Sequence, residues 1–234
     1  MKLPIAWKAT ILAFIKRMKL PIAWKATIIV IIILLIDQIL KFWVKMHMSI
    51  GQDFPVFGKW FLIHFVENPG MAFGLELGGK GGKAVLSIFR LVAIVGFIWY
   101  VRKLIREKAP QGFIICISLI LAGAAGNMLD CAFYGMIFDK GTTFNSASGL
   151  YESYFEVSQL SCDGYAPFLH GCVVDMLSFP IFRGTYPDWF PFKAGEPFLF
   201  FRPVFNIADS AVTIGVFSII LFYWGYLKKV GKDG

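Results

Sequence analysis

Four long apolar runs, each with lysine or arginine near one end, constrain this chain more than any other feature. A helix rising 1.5 Å per residue needs about 20 such residues to cross about 30 Å of hydrocarbon. The first run extends from about Leu20 to Val44 around the core Ile28–Ile36, and the second covers about Ala84–Val101, closed by the basic stretch Arg102–Lys108. The third covers about 112–130 and the fourth about 204–227, ending at Lys228 and Lys229. Charged residues are 16% of the 234 and hydrophobic ones 57%, whereas soluble domains carry about a quarter charged. Most of the chain is therefore expected in lipid, as one membrane-embedded unit over residues 18–234.

The net charge of +8 fits either nucleic acid or a membrane, and the placement of the charges separates the two. Six of the 23 Lys and Arg residues lie in 1–25, four in 102–108 and three in 228–232, all beside apolar runs. That is the positive-inside pattern. It puts both termini and the 102–111 loop in the cytoplasm, leaves 45–83 and 131–203 outside, and gives no reason to expect a nucleic-acid partner. MKLPIAWKAT occurs at 1–10 and again at 18–27, so 1–17 reads as a duplicated or extended start with no assigned role. Without a small-x-small cleavage site, the start is expected to be an anchor rather than a removed signal peptide.

In the first outer segment, Trp60–Val66 is β-branched and aromatic enough for a strand, closed by the turn signal Asn68-Pro69-Gly70. Residues 140–166 are rich in Ser, Thr, Asn, Gly and Tyr and read as a surface loop. Residues 168–205 are crowded with aromatics, and rings favour the headgroup level, so this part is expected to lie on the outer leaflet. Of the four cysteines, Cys116 lies in an apolar run, and Cys131, Cys162 and Cys172 fall outside, where oxidation is possible. No CxxC pair suggests zinc, and no metal or cofactor is expected.

Polar residues inside spans are costly and default to function. Counting along the helices puts Asp37 about 22 Å above Ile22, Asp130 about 25 Å above Phe113, and Asp209 about 27 Å from the inner end of the last span. Asn127 and Asn206 stand three residues before Asp130 and Asp209, on the same helix faces. Three spans thus bring carboxylates and carboxamides to one outer level. HExxH, GxSxG and P-loop patterns are missing. His64 and His170 fall where they could approach the site, but no Ser or Cys is obviously poised beside either. Paired carboxylates suit aspartic chemistry, in which one acid and one base share a proton around a water. A metal held by Asp and Asn oxygens, or a proton- or ion-coupled transporter, uses the same residue types. A transporter, however, would place them near the midplane.

At these residues the chain resembles the lipoprotein signal peptidases, the type II signal peptidases. Five blocks carry the resemblance: Asp37-Gln38 with Lys41; Asn68-Pro69-Gly70-Met71-Ala72-Phe73-Gly74; Gly126-Asn127-Met128-Leu129-Asp130; Val173-Val174-Asp175; and Phe205-Asn206-Ile207-Ala208-Asp209. It implies an all-α integral membrane protein of four spans, with a small β-containing cradle and an interfacial segment outside. The implied enzyme is an intramembrane aspartic endopeptidase of the bacterial inner membrane, working without metal at the outer face. It would act, as a monomer among membrane phospholipids, on lipid-modified prolipoproteins, cleaving before the diacylglyceryl-bearing cysteine. The catalytic pair corresponds to Asp175 and Asp209, and Asp37, Asn68, Gly70, Asn127, Asp130 and Asn206 correspond to supporting and substrate-binding residues.

The chain departs from the family pattern in three places. Cys131 stands where the family usually has Arg, and Arg183 or Arg202 are candidate substitutes. Pro69 and Met71 occupy cradle positions where other residues are common. The family's first catalytic aspartate usually follows nine residues after the one corresponding to Asp130, which here is Asp139. Asp175 is preferred because its local block matches and the segment around it suits a return to the membrane, while Asp139 opens a polar stretch and is expected to face water.

Overall fold

A computed structural model describes residues 20–69, 79–180, 182–189, 191, 193, 195–200 and 203–230. Helix α1, Ile22–His47, starts behind Pro21, whose fixed φ suits a helix entrance. Its outward face is Ile31, Ile32, Leu35 and Ile39, all exposed, and its inward face buries Asp37, Lys41 and Lys45. A water-soluble helix has the reverse polarity. A helix with this polarity suits lipid, which would solvate the isoleucines and leave the charges to be satisfied inside.

Helix α2, Gly79–Arg106, and helix α3, Gln111–Leu129, follow. The helical path of α3 continues through a π-helical turn, Asp130–Tyr134, and a last turn at Gly135–Ile137. Helix α4, Ile207–Phe222, breaks at Tyr223 before the short α5, Trp224–Val230. α3 is the hub on which α1, α2 and α4 all pack. A Cβ at Gly123 would stand 2.2 Å from the Ala208 carbonyl oxygen, so only glycine lets α3 and α4 approach this closely. Ile22–His47, Val85–Arg106 and Gln111–Ile137 are long and apolar enough to cross a membrane, whereas the 16-residue α4 is shorter. The fourth run is thus shorter than expected, because Val204–Phe205 pair as a strand and Asn206 caps the helix.

The chain is not all-α. Strands β1, Asp53–Phe57, β2, Phe61–Asn68, β5, Val173–Ser178, and β8, Val204–Phe205, form an antiparallel sheet in the order β1-β2-β5-β8. Val66 lies opposite Asp175, and Leu177 opposite Phe205. Because β8 runs straight into α4, the sheet joins the helices at the level of Asn206. Two hairpins complete the outer part: β3, Thr143–Asn145, with β4, Leu150–Glu152, and β6, Phe182–Thr185, with β7, Pro197–Phe200.

The 140–166 segment is more than a surface loop. Its hairpin tip is exposed, but Thr142 and Ser158 are buried, and Phe138 bridges to Leu160. Tyr134 and Phe138 pack with Val44, Phe65, Val174 and Met176 into the outer core. The 168–205 segment is likewise not uniformly interfacial. Val173–Met176 are buried, and Phe179 stacks on Phe61 at 4.7 Å, while Phe168 and Trp189 are exposed. All four cysteines are free, and only Cys162 is exposed.

Candidate functional site

The residue that starts α4 also joins two acidic side chains. Asn206 Oδ1 accepts the Asp209 amide at 2.9 Å, and Asp209 Oδ2 accepts the Asn206 amide at 3.3 Å. This reciprocal capping box leaves the Asn206 side-chain NH2 to donate elsewhere. It donates to Asp175 Oδ1 at 2.7 Å, Asn127 Oδ1 at 3.0 Å and the Val174 carbonyl at 3.3 Å. Asn127 Nδ2 in turn donates to Asp209 Oδ1 at 2.7 Å. Asp175, from β5, and Asp209, from α4, are therefore bound to one asparagine, and Asn68 Nδ2 approaches Asp175 Oδ2 at 3.5 Å from the end of β2.

Behind this pair lies a buried ionic core. Lys41 Nζ is 2.8 Å from Asp37 and 2.7 Å from Asp130, with all three side chains at 0% exposure, and it donates to Asn127 Oδ1 at 3.0 Å. Asp37 Oδ1 accepts the Ala208 amide at 2.9 Å, and Asp130 Oδ2 accepts the Val174 amide at 3.3 Å. Ala208 and Val174 immediately precede Asp209 and Asp175. One ammonium group thus holds, through two carboxylates, the backbone on which each acid of the pair is mounted. Gln38 Nε2 donates to Asp130 Oδ1 at 2.8 Å, and its Oε1 accepts from the Tyr134 hydroxyl at 3.1 Å. The approach into β5 is equally tight, since a Cβ at Gly171 would stand 2.2 Å from the Asp130 carbonyl oxygen.

Burial, and next the neighbouring Asp209 charge, push the Asp175 carboxyl up to about 7, against the opposing pull of Lys41, Asn68 and Asn206. Near neutral pH it is therefore available as a proton donor beside a second carboxyl. The cation between Asp37 and Asp130 is the Lys41 ammonium, which pairs with both. The arrangement can perform acid–base chemistry on a water and a carbonyl.

Other expected residues fall elsewhere. Gly70 and Met71 lie outside the described residues. Asp139 Oδ1 accepts the Ser158 hydroxyl at 2.9 Å and the Gln159 amide at 2.7 Å, and chiefly that amide holds its carboxyl below the usual range. It fastens the 140–166 segment and shares no described hydrogen bond with Asn127 or Asn206. His64 pairs with Asp53 at 2.6 Å, and His170 Nδ1 lies 2.9 Å from the Phe168 carbonyl oxygen, so neither joins the network. The guanidinium beside Cys131 is that of Arg90, whose Nη1 lies 3.3 Å from Sγ; Arg202 lies outside the described residues. Sequence reasoning passed over Lys41 as a site residue, although its i, i+4 spacing from Asp37 inside an apolar helix was the available signal. Arg90 offered no local signal, because its partner is 41 residues away.

Residues 29–225 match the family model described as signal peptidase (SPase) II. A lipoprotein signal peptidase of Porphyromonas gingivalis is 46% identical over 197 residues, which is 83% of this chain and 80% of the relative. One of Amoebophilus asiaticus is 36% identical over 189 residues, 80% of this chain and 72% of the relative. The fold is similar to that of a bacterial membrane enzyme solved by the in meso method at 1.9 Å resolution, with a TM-score of 0.52 and 23% identity over 86% of this chain and 93% of that one.

Proposed function

Because the chain belongs to the signal peptidase II family, we propose that it removes signal peptides from diacylglyceryl-modified bacterial prolipoproteins as an aspartic endopeptidase, with Asp175 and Asp209 as the catalytic pair. The observation that carries the assignment is the joint attachment of both carboxyls to Asn206. A water between them loses a proton to Asp209 and attacks the carbonyl carbon of the peptide bond before the lipid-modified cysteine. Asp175, holding its proton near neutral pH, gives it to the carbonyl oxygen. The tetrahedral intermediate then collapses: the oxygen returns a proton to the pair, the C–N bond breaks, and Asp209 delivers the water-derived proton to the leaving amine.

Asn127 and Asn206 fix the pair, and Asp37, Asp130 and Lys41 fix the backbones that carry it. Asn68, and Gly70 after it, form the cradle edge for the substrate backbone. α1 and α2 both lean on α3 and leave between them an apolar groove of about 410 Å³, lined by Ala26, Val30, Ile94, Ile98 and Leu121, which suits an apolar chain. Acyl chains anchor the modified cysteine at about 0.8 kcal/mol per buried CH₂, so depth in the membrane selects the bond. In this reading residues 18–234 act as one monomeric unit, with α4 and α5 together as the fourth span. The basic ends keep both termini in the cytoplasm and the catalytic pair at the outer face.

Purified protein incubated with a diacylglyceryl-modified prolipoprotein tests the reading by the mass shift on a gel. Asp175→Asn and Asp209→Asn are each expected to abolish the shift, and Asp139→Asn to preserve it. Processing that survives either of the first two substitutions would remove the pair from the mechanism.

A further inference from the structure

Helix α2 turns three polar residues, at i, i+4 and i+7, toward the segment that enters β5 and the π-helical turn after α3. Ser87 Oγ donates to the Leu169 carbonyl at 3.1 Å, Arg90 Nη1 to Cys131 Sγ at 3.3 Å, and Lys83 Nζ to Cys172 Sγ at 3.4 Å. Lys83 is the anomaly. It is only 9% exposed, yet among the described residues it has no carboxylate partner, only that thiol and the Tyr151 ring at 5.8 Å. Burial pushes the Cys172 thiol up to about 11, so it supplies no counter-charge at neutral pH. Glu67 is already taken by Lys45, the Tyr154 hydroxyl and the Thr142 amide. A buried ammonium left in this state is costly, and an anion that reaches it gains correspondingly.

There is room for one. Lys83 lines a cavity of about 230 Å³ together with Thr142, Thr143, Tyr151, Pro167 and His170. The hydroxyl side chains of Thr142, Thr143 and Tyr151 and the His170 imidazole around one cation suit a phosphate better than a metal. The depth is equally specific. Lys83 precedes Lys103 by 20 residues on the same helix, which is about 30 Å of rise and so the thickness of the hydrocarbon layer. With Lys103 in the headgroups on one side, Lys83 stands among the headgroups on the other. Phe168, next to Pro167 in the cavity wall, is 53% exposed and packs edge-on against the 46%-exposed Phe133 at 5.9 Å, an apolar shelf beside the cavity.

We propose that this cavity binds the phosphate of a membrane glycerophospholipid, with Lys83 as its counter-charge and the Phe133–Phe168 shelf against an acyl chain. The site is separate from the catalytic pair and does not depend on that assignment. Native mass spectrometry of the purified protein in detergent tests it with three probes: dioleoylphosphatidylglycerol, dioleoylglycerol and inorganic phosphate. One phosphatidylglycerol per chain is expected to be retained, dioleoylglycerol not, and inorganic phosphate is expected to displace the lipid only weakly. Lys83→Gln is expected to weaken lipid retention by about tenfold or more, the loss of one charge-assisted contact, and Lys83→Arg to preserve it. Should Lys83→Gln fail to fold, the exposed Phe168→Ser is expected to weaken the lipid while leaving inorganic phosphate binding unchanged. Equal retention of dioleoylglycerol, wild-type lipid binding by a folded Lys83→Gln or by Phe168→Ser, or full displacement by inorganic phosphate would each overturn the proposal.

Discussion

Lys41 and Lys45 stand one turn apart on the same face of α1, both fully buried, and the fold treats them differently. Lys41 is shared by two carboxylates and by Asn127, and its hydrogen bonds run on without interruption into Asp175 and Asp209. Lys45 has a single carboxylate, Glu67, together with the Lys140 carbonyl at 2.9 Å and the Tyr154 hydroxyl at 3.1 Å. The rings of Phe138, Tyr154 and Tyr165 close around it at 5.0, 5.1 and 5.2 Å. Its network ends at those rings and fastens the 140–166 segment onto α1 and β2. Two buried lysines on one helix thus do different work. One joins the network that holds the proposed catalytic pair, and the other staples an outer segment in place.

Breaking the first network should have the largest effect. Lys41→Met leaves Asp37 and Asp130 buried without their cation, so a loss of about 3–5 kcal/mol is expected. Prolipoprotein cleavage should fall with it, because the Ala208 and Val174 amides lose their fixed acceptors; thermal unfolding in detergent and the gel assay read the two effects. Lys45→Met should cost less, about 2–3 kcal/mol, since Glu67 keeps the Tyr154 hydroxyl and the Thr142 amide. Its folded fraction should cleave at the wild-type rate, and an equal fall in kcat for both variants would erase the distinction. Replacing both partners, Lys45→Met with Glu67→Leu, should recover part of the lost stability, because no charge is then left alone.

A smaller effect sharpens the electrostatics. In the proposed mechanism Asp175 is the acid and must hold a proton, so cleavage is expected to fall as pH rises through about 7. The linkage has the same sign. The folded state holds this proton more tightly than the unfolded chain, so the stabilisation is complete below the ordinary value of 3.8 and is lost as pH climbs to about 7. Asn68→Ala removes a hydrogen bond that favours the charged form, so the basic limb of the pH profile should move upward; a downward move would contradict the geometry. The smallest effect is expected at Asp139. Asp139→Asn should leave cleavage intact and cost about 0.5 kcal/mol or less. That contribution is present above the ordinary carboxylate range and disappears as pH falls through the depressed value, as thermal midpoints from pH 7 to 3 would record.

The sequence by itself determined three of the spans and the helix ends at which Asp37, Asn127, Asp130, Asn206 and Asp209 gather, whereas the start of the fourth run went to β8 and the Asn206 cap. Apolar run length and a fixed rise per residue are local quantities that need no knowledge of neighbours. The strand before Asn68 was readable from equally local signals, β-branched and aromatic residues closed by Asn68-Pro69-Gly70. Tertiary structure alone decided the partners: that the single side chain of Asn206 joins Asp175 to Asp209, that Lys41 pairs with both Asp37 and Asp130, that Arg90 stands at Cys131, and that 140–166 closes over Lys45. Those choices depend on the Val66–Asp175 register and on how closely α3 and α4 meet at Gly123. Both bring together residues more than 80 positions apart, a distance over which no periodicity in the chain carries information.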